Sequence, residues 1–228
     1  MPEYSISSDG FSMVEGLLAE SIVNDLVHFV EGNIHAEGRR GGVRNLLKFP
    51  EMCSLAESPV LRKEVESILG SDACVVRGIL FDKTDRANWK VPWHQDVTIS
   101  VTRKFEVKGF GPWSLKAGVL HVQPPSAVLE RMVSLRLHLD DCPKENGALR
   151  VIAGSHTRGK LDERVIQEIA ERSLAVTCEM RRGDVLMMRP LLLHASSASS
   201  IPGHRRVLHF DYAAAKLPAG MNWASNQS

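Results

Sequence analysis

The sequence predicts a mainly β fold with added helices: a double-stranded β-helix, the jelly-roll or cupin-like barrel, buttressed by N-terminal helices. Three observations predict it. Apolar side chains recur at helical spacing through the first third of the chain. After about residue 70, short β-rich runs alternate with turn residues at regular spacing. Finally, a His-x-Asp pair at His94 and Asp96 has its natural third partner, His194, about a hundred residues away, so distant strands must meet to bring them together.

The chain has 228 residues and a mass of 25.2 kDa, the size of one well-buried domain spanning 1–228. Its expected layout is a helical third over about 1–70, a barrel core over about 71–213 and a short tail. A formal charge of +1 and a pI near 7.8 exclude the basic footprint of a nucleic-acid binder. Cys53, Cys74, Cys142 and Cys178 have no paired spacing, which predicts buried thiols in a reducing compartment. No apolar run reaches membrane-spanning length, and the N-terminus carries no basic-then-apolar signal. A cytoplasmic protein without nucleic-acid or membrane partners is therefore expected.

The elements follow in order. Over 13–34, Val14, Leu17, Leu18, Ile22, Leu26, Phe29 and Val30 recur at helical spacing, with Gly32 as the stop. Residues 38–44 are glycine-rich and basic and read as a loop, in which Arg44 is a candidate contact for an anionic group. Short helices are expected over 44–56 and 60–69. Residues 73–81 are rich in β-branched side chains and form a strand that leads through a polar loop, 83–90, to the metal segment. Over 91–101 a single strand would point His94, Asp96, Thr98 and Ser100 inward, with Gln95, Val97, Ile99 and Val101 outward. A polar inner face suits a barrel strand lining a pocket.

Residues 103–125 form a long connection with Phe105, Phe110, Trp113 and His121, broken by glycines. It reads as a lid, with Phe110 and Trp113 offering apolar cover to a small molecule. Residues 133–140 alternate cleanly, placing Ser134, Arg136 and His138 opposite Val133, Leu135, Leu137 and Leu139. Asn146-Gly147 is a turn. A helix over 161–173 and strands over 174–178 and 184–189 follow. Residues 195–203 are rich in Ser and Ala and read as flexible. The closing strand, 205–212, shows Arg205, Val207 and His209 on one face and Arg206 on the other.

The candidate chemistry rests on Trp93-His94-Gln95-Asp96 and on the apolar run Leu191-Leu192-Leu193-His194. A lone His-x-Asp pair is more often a surface or core feature than a metal site. Two imidazoles and one carboxylate, His94, Asp96 and His194, are the facial set that suits Fe(II) and leaves positions open for other ligands. Eleven residues beyond His194 stands Arg205, in Gly203-His204-Arg205-Arg206.

With these blocks the sequence resembles the phytanoyl-CoA dioxygenase family of Fe(II)/2-oxoglutarate oxygenases. His94-Gln95-Asp96, His194-Ala195-Ser196, Arg205 and the stretch Glu145-Asn146-Gly147 through Gly154-Ser155-His156 occur in the family's order. The resemblance covers roughly 75–212. It implies that Fe(II) sits on His94, Asp96 and His194, that 2-oxoglutarate and O2 are co-substrates, and that succinate and CO2 are released. Arg205 would pair with the far carboxylate of 2-oxoglutarate, for which a bidentate guanidinium is well suited. Ser196 would add a hydrogen bond, and a co-substrate contact falls near Arg136. Related halogenases carry a small residue where Asp96 stands, so hydroxylation is the implied outcome. The alternative is a cupin-like metal isomerase or binding protein, which has no need of Arg205.

Overall fold

The computed structural model describes residues 3–34, 42–201, 203–218 and 220–226. In chain order the strands and helices are β1 (Phe11–Val14), α1 (Glu20–Asn33), β2 (Val43–Arg44), α2 (Pro50–Ala56), α3 (Pro59–Leu69), β3 (Cys74–Lys83), β4 (Val91–His94), β5 (Ile99–Val101), β6 (Trp113–Lys116) and β7 (Val119–Val122). There follow α4 (Ser126–Leu129), β8 (Met132–His138), β9 (Leu149–Val151), α5 (Glu163–Arg172), β10 (Val176–Cys178), β11 (Val185–Met188), β12 (His194–Ser196) and β13 (Arg205–Ala213). No helix among the described residues is long and apolar enough to cross a membrane.

A six-stranded sheet, ordered β1-β11-β8-β13-β3-β2, faces a four-stranded sheet, β10-β9-β12-β4, and both are antiparallel throughout. This is the predicted mainly β jelly-roll architecture. The helices cover the outer face of the large sheet. Val23, Leu26 and Val30 of α1 and Leu61 and Val65 of α3 pack in one cluster with Leu80, Val133, Leu135, Leu137, Leu208, Phe210 and Tyr212. The period-2 pattern therefore sends apolar side chains outward to the helices, while the other face of β3, β8 and β13 turns its polar side chains to the barrel interior. Between β1, β11 and the β9–β10 edge that interior is filled by Phe11, Leu186, Met188, Leu149 and Val151.

Several expectations are corrected. The helix expected from residue 13 begins at Glu20. Met13 and Val14 instead pair with Leu186 and Val185, because the free edge of β11 takes up the segment as β1. The strand expected over 91–101 is two strands in different sheets, β4 and β5. The polar loop expected from residue 83 starts later, since Lys83 closes β3 and is buried. The connection at 103–125 contains β6 and β7, a hairpin that joins β5 in a third sheet. Its turn, Ala117-Gly118, has positive φ at both positions (50° and 78°), the twist that tight hairpins require. Nor is 195–203 free-running. Asn88 and Ser199 exchange hydrogen bonds through Nδ2 to O (2.7 Å) and N to Oδ1 (2.7 Å), and Ser200 N donates to Glu145 O at 2.8 Å. The tail packs back, with Met221 and Trp223 buried beside Val101 and Trp223 bridging to that strand. The basic stretch at 38–41 lies outside the described residues; Gly42 to Arg44 lead into and form β2 on the edge of β3.

Candidate metal and co-substrate site

β12 lies between β9 and β4, and its register sets His194 directly opposite His94. The two rings stand with centroids 4.1 Å apart. Each ring is oriented in the same way: His94 Nδ1 bonds Pro92 O at 2.9 Å, and His194 Nδ1 bonds Leu192 O at 2.8 Å. A carbonyl at Nδ1 requires the proton there, which leaves Nε2 as a lone-pair donor on both rings. Asp96 leaves β4 just beyond its end, where Asp96 N donates to Pro190 O at 2.8 Å. Its Oδ2 comes to 3.7 Å from His194 Nε2. One ligand atom from each of His94, Asp96 and His194 lies within 4.8 Å of the others. Burial, with His94 beside it, pushes His194 down to about 3, so its imidazole is neutral at neutral pH. For Asp96, burial works against the charged form, but the neighbouring positive charge, that of Arg77 included, outweighs it and holds the carboxyl below its ordinary value. Two imidazoles and one carboxylate are a donor set that fits Fe(II).

The break between β4 and β5 is held by Gln95. Its Nε2 donates to Gly159 O (2.8 Å) and Leu191 O (2.7 Å), and its Oε1 accepts from Leu161 N (2.9 Å). Gln95, expected merely to point away from the pocket, thus ties together the segments that carry Asp96 and His194.

The three residues open on a cavity of about 360 Å³, lined also by Arg205, Ser196, Arg136 and Arg44. Arg205 is buried, donates through Nη1 to Gly147 O, and has no partner at Nε. Glycine is required at 147 for the backbone: its φ is +67°, and a Cβ there would meet Ser197 O at 2.5 Å. Ser196 Oγ accepts from Lys83 Nζ at 3.2 Å, which leaves the hydroxyl proton free to donate. Arg136 donates through Nη1 to His209 Nδ1 at 3.1 Å, while its buried Nε is without a partner. Burial, then Arg205, pushes Arg136 down to about 10, so it remains a cation. Phe110 and Trp113 do not line this cavity. They pack against the cluster of Val101, Val122, Leu129 and Trp223 because pairing in the β5-β7-β6 sheet turns that region into a wall. His156 bonds Ser7 O at 3.3 Å and is not part of the triad.

Other residues were missed. Across the large sheet, Arg77, Asp211 and Ser134 lie opposite one another, as do Arg44, Ile79, His209 and Arg136. Asp211 pairs with Arg77 and accepts from Ser134 Oγ (2.6 Å) and His209 Nε2 (2.9 Å). This network fixes His209 with its acceptor nitrogen toward Arg136. Lys83, whose amine burial and the nearby Arg205 push down to about 7, donates to Ser197 O beneath the Arg205 end. The alternation of β13 could have revealed Asp211; nothing local marks Arg77 or Lys83 as inward-facing.

Comparison with known proteins matches this arrangement to one family. The chain is similar to L-proline trans-4-hydroxylase of Streptomyces griseoviridis, 29% identical over 192 residues, which cover 72% of this chain and 63% of that protein. It thus spans less than two thirds of that relative's length. Among solved structures, the carbocyclase SnoK from nogalamycin biosynthesis has a TM-score of 0.72 at 17% identity, over 98% of this chain and 85% of its own. HygX from Streptomyces hygroscopicus, solved with nickel and 2-oxoglutarate, has a TM-score of 0.64 at 18% identity, over 91% and 83% respectively. Both likenesses are of fold. The model of the phytanoyl-CoA dioxygenase (PhyH) family matches residues 8–207, and with its metal-type triad and barrel the chain belongs to that family.

Proposed function

We propose that the protein is an Fe(II)- and 2-oxoglutarate-dependent oxygenase that hydroxylates a small organic molecule. His94, Asp96 and His194 would hold the iron, and Arg205 with Ser196 and Arg136 would hold 2-oxoglutarate. One observation carries the reading: the His94-Asp96-His194 set shares a cavity with a buried arginine, Arg205, that has no acidic partner among the described residues. A metal isomerase or binding protein of the same barrel that does not use 2-oxoglutarate has no need of such a cation. The relatives support the same chemistry, since one is named as a proline hydroxylase and another was solved with nickel and 2-oxoglutarate. Because SnoK is a carbocyclase, hydroxylation is argued from the proline hydroxylase and from Asp96, which fills the position that halogenation would need open.

When bound, iron would supply the O2-dependent oxidation of substrate coupled to conversion of 2-oxoglutarate into succinate and CO2. The chain's own residues do the rest. Nε2 of His94 and of His194 is presented by the carbonyls of Pro92 and Leu192. Arg205 Nε and Arg136 Nε are donors waiting for acceptors, and a carboxylate meeting either in a buried site gains charge-assisted hydrogen bonds.

Anaerobic addition of Fe(II) and 2-oxoglutarate should give a weak visible charge-transfer band and a rise in melting temperature that needs both. Metal-dependent stabilisation with no band and no response to 2-oxoglutarate would leave the cupin-like metal protein instead.

A further inference from the structure

Arg44, Arg77, Lys90, Lys116, Arg136 and Arg205 line the cavity, with Lys83 reaching Ser196 from behind it, and most of these cations act on one another in two sets. Lys83, Arg136 and Arg205 influence one another's charge at one end. At the other, Arg44, Arg77 and Lys116 influence one another and feel the carboxylate of Asp96. In register, Arg44 faces Ile79 and Ile79 faces His209, while Arg205 stands further along β13 opposite Lys83. Strand and residue spacings put the backbones of Arg44 and Arg205 roughly 16 Å apart.

The second group is undersupplied with anions. Arg77 is satisfied by Asp211. Arg44 has no hydrogen-bond or ion-pair partner among the described residues, and Lys116 has only the Thr98 hydroxyl at 3.5 Å. Behind them His121, 1% exposed and unpartnered at Nε2, closes a small recess with Arg44 and Arg77. Among the described residues Asp96 is the one carboxylate in the cavity lining. A divalent ion, Asp96, a 2-oxoglutarate dianion, Arg205 and Arg136 together carry one net positive charge, so that set has no anion to spare. Arg44 and Lys116 therefore stay uncompensated after the co-substrate is in place, and a partly buried charge without a partner is costly.

We propose that Arg44 and Lys116 bind an anionic group, a carboxylate or a phosphate, on the primary substrate, so that the enzyme oxidises a small organic acid. The proposal rests on the oxygenase reading of the same cavity. Size agrees: 360 Å³ is near the low end of ligand cavities, which run to about 1,000 Å³, and must admit 2-oxoglutarate as well. Geometry agrees too. Arg44 offers a planar fork and Lys116 a point charge from the opposing hairpin, and both line the cavity on which the metal triad opens, so an acid gripped there lies beside it.

The test uses the intact protein loaded anaerobically with Fe(II) and 2-oxoglutarate. It is titrated with short carboxylic acids, each paired with its primary amide, and with short alkyl phosphates, each paired with its alcohol. Thermal shift and perturbation of the charge-transfer band report binding. At least one acid should bind about tenfold or more tightly than its neutral partner, and whichever arm it belongs to identifies the anion. Arg44→Gln and Lys116→Gln should each remove most of that preference and leave 2-oxoglutarate affinity essentially unchanged, whereas Arg44→Lys should keep much of it. The proposal is overturned if no acid is preferred to its neutral partner. It is also overturned if Arg44→Gln weakens 2-oxoglutarate as much as Arg205→Ala does, which would assign Arg44 to the co-substrate. Absence of the band in the unmutated protein brings down the oxygenase reading, and this proposal with it.

Discussion

Arg205 and Arg206 are neighbours on β13, both nearly buried, and they meet opposite surroundings. Arg206 faces outward, where Nη2 meets Asp140 Oδ1 at 2.6 Å, Nε meets Asp140 Oδ2 at 2.9 Å and Nη1 meets Glu31. Those bonds to Asp140, reinforced by Glu31, raise its pKa still further. Arg205 faces inward to one backbone carbonyl and an empty Nε. An arginine saturated by its own chain's carboxylates is structural. One buried without them is complementary to an anion from outside. The same division runs along the strand: Leu208, Phe210 and Tyr212 pack under the helices, while His209 and Asp211 sit in the polar network.

The largest expected effect comes from removing the charge at the centre of the inner face. Asp96→Ala should abolish turnover and the Fe(II)/2-oxoglutarate band yet leave a folded protein, since its contact with His194 is a loose 3.7 Å. Near-normal turnover would transfer the role to another carboxylate. The obvious ones are already engaged, Asp82 with His204 at 2.9 Å and Asp140 with Arg206.

Next comes the arginine pair itself. Arg205→Ala should weaken 2-oxoglutarate by roughly 30-fold or more, corresponding to the 2–5 kcal/mol lost when one partner of a buried charged pair is truncated. Arg206→Ala should leave that affinity nearly unchanged but lower the unfolding free energy by about 1–3 kcal/mol, because Asp140 loses its charged partner. Calorimetric titration and urea unfolding of both variants read the two effects separately. The reverse assignment would mean that the faces of β13 are exchanged.

The smallest effect concerns His138, buried among Arg136 and Arg205 on the inner face. Burial, then Arg136, pushes its imidazole down to about 3. The folded protein then keeps His138 neutral while the unfolded chain binds a proton below about 6.5. Stability from this group is present above that value and is lost as pH falls from about 6.5 toward 3. The slope is at most about 1.4 kcal/mol per pH unit. His138→Gln should flatten the pH dependence of urea unfolding by about that much between pH 6 and 4. An unchanged slope would show that His138 stays paired or neutral in the unfolded chain too.

The jelly-roll fold and the inner and outer faces of β8 and β13 were legible because strand alternation is local and these strands stay in register over their length. That His94, Asp96 and His194 would come together was legible as well, since two imidazoles and a carboxylate are a set suited to Fe(II), and the structure brings one ligand atom of each within 4.8 Å of the others. The helix start was not: whether Met13 and Val14 coil or extend depends on the unpaired edge of β11, which lies about 170 residues away in the sequence. Nor was the strand break after His94, where alternation predicts a continuous strand and the bonds of Gln95 to Gly159 and Leu191 replace ladder bonds.

By itself the sequence determined which residues could hold a metal and an anion, and that β13 presents Arg205 and Arg206 to opposite sides, because side-chain direction follows from chain spacing. Only the tertiary structure decided which polar residues go unpaired. Arg77 meets Asp211 across one strand pairing, whereas Arg44, on the sheet edge beyond it, meets no acid among the described residues. Pairing is a matter of distance through space, and sheet order, not sequence order, sets those distances.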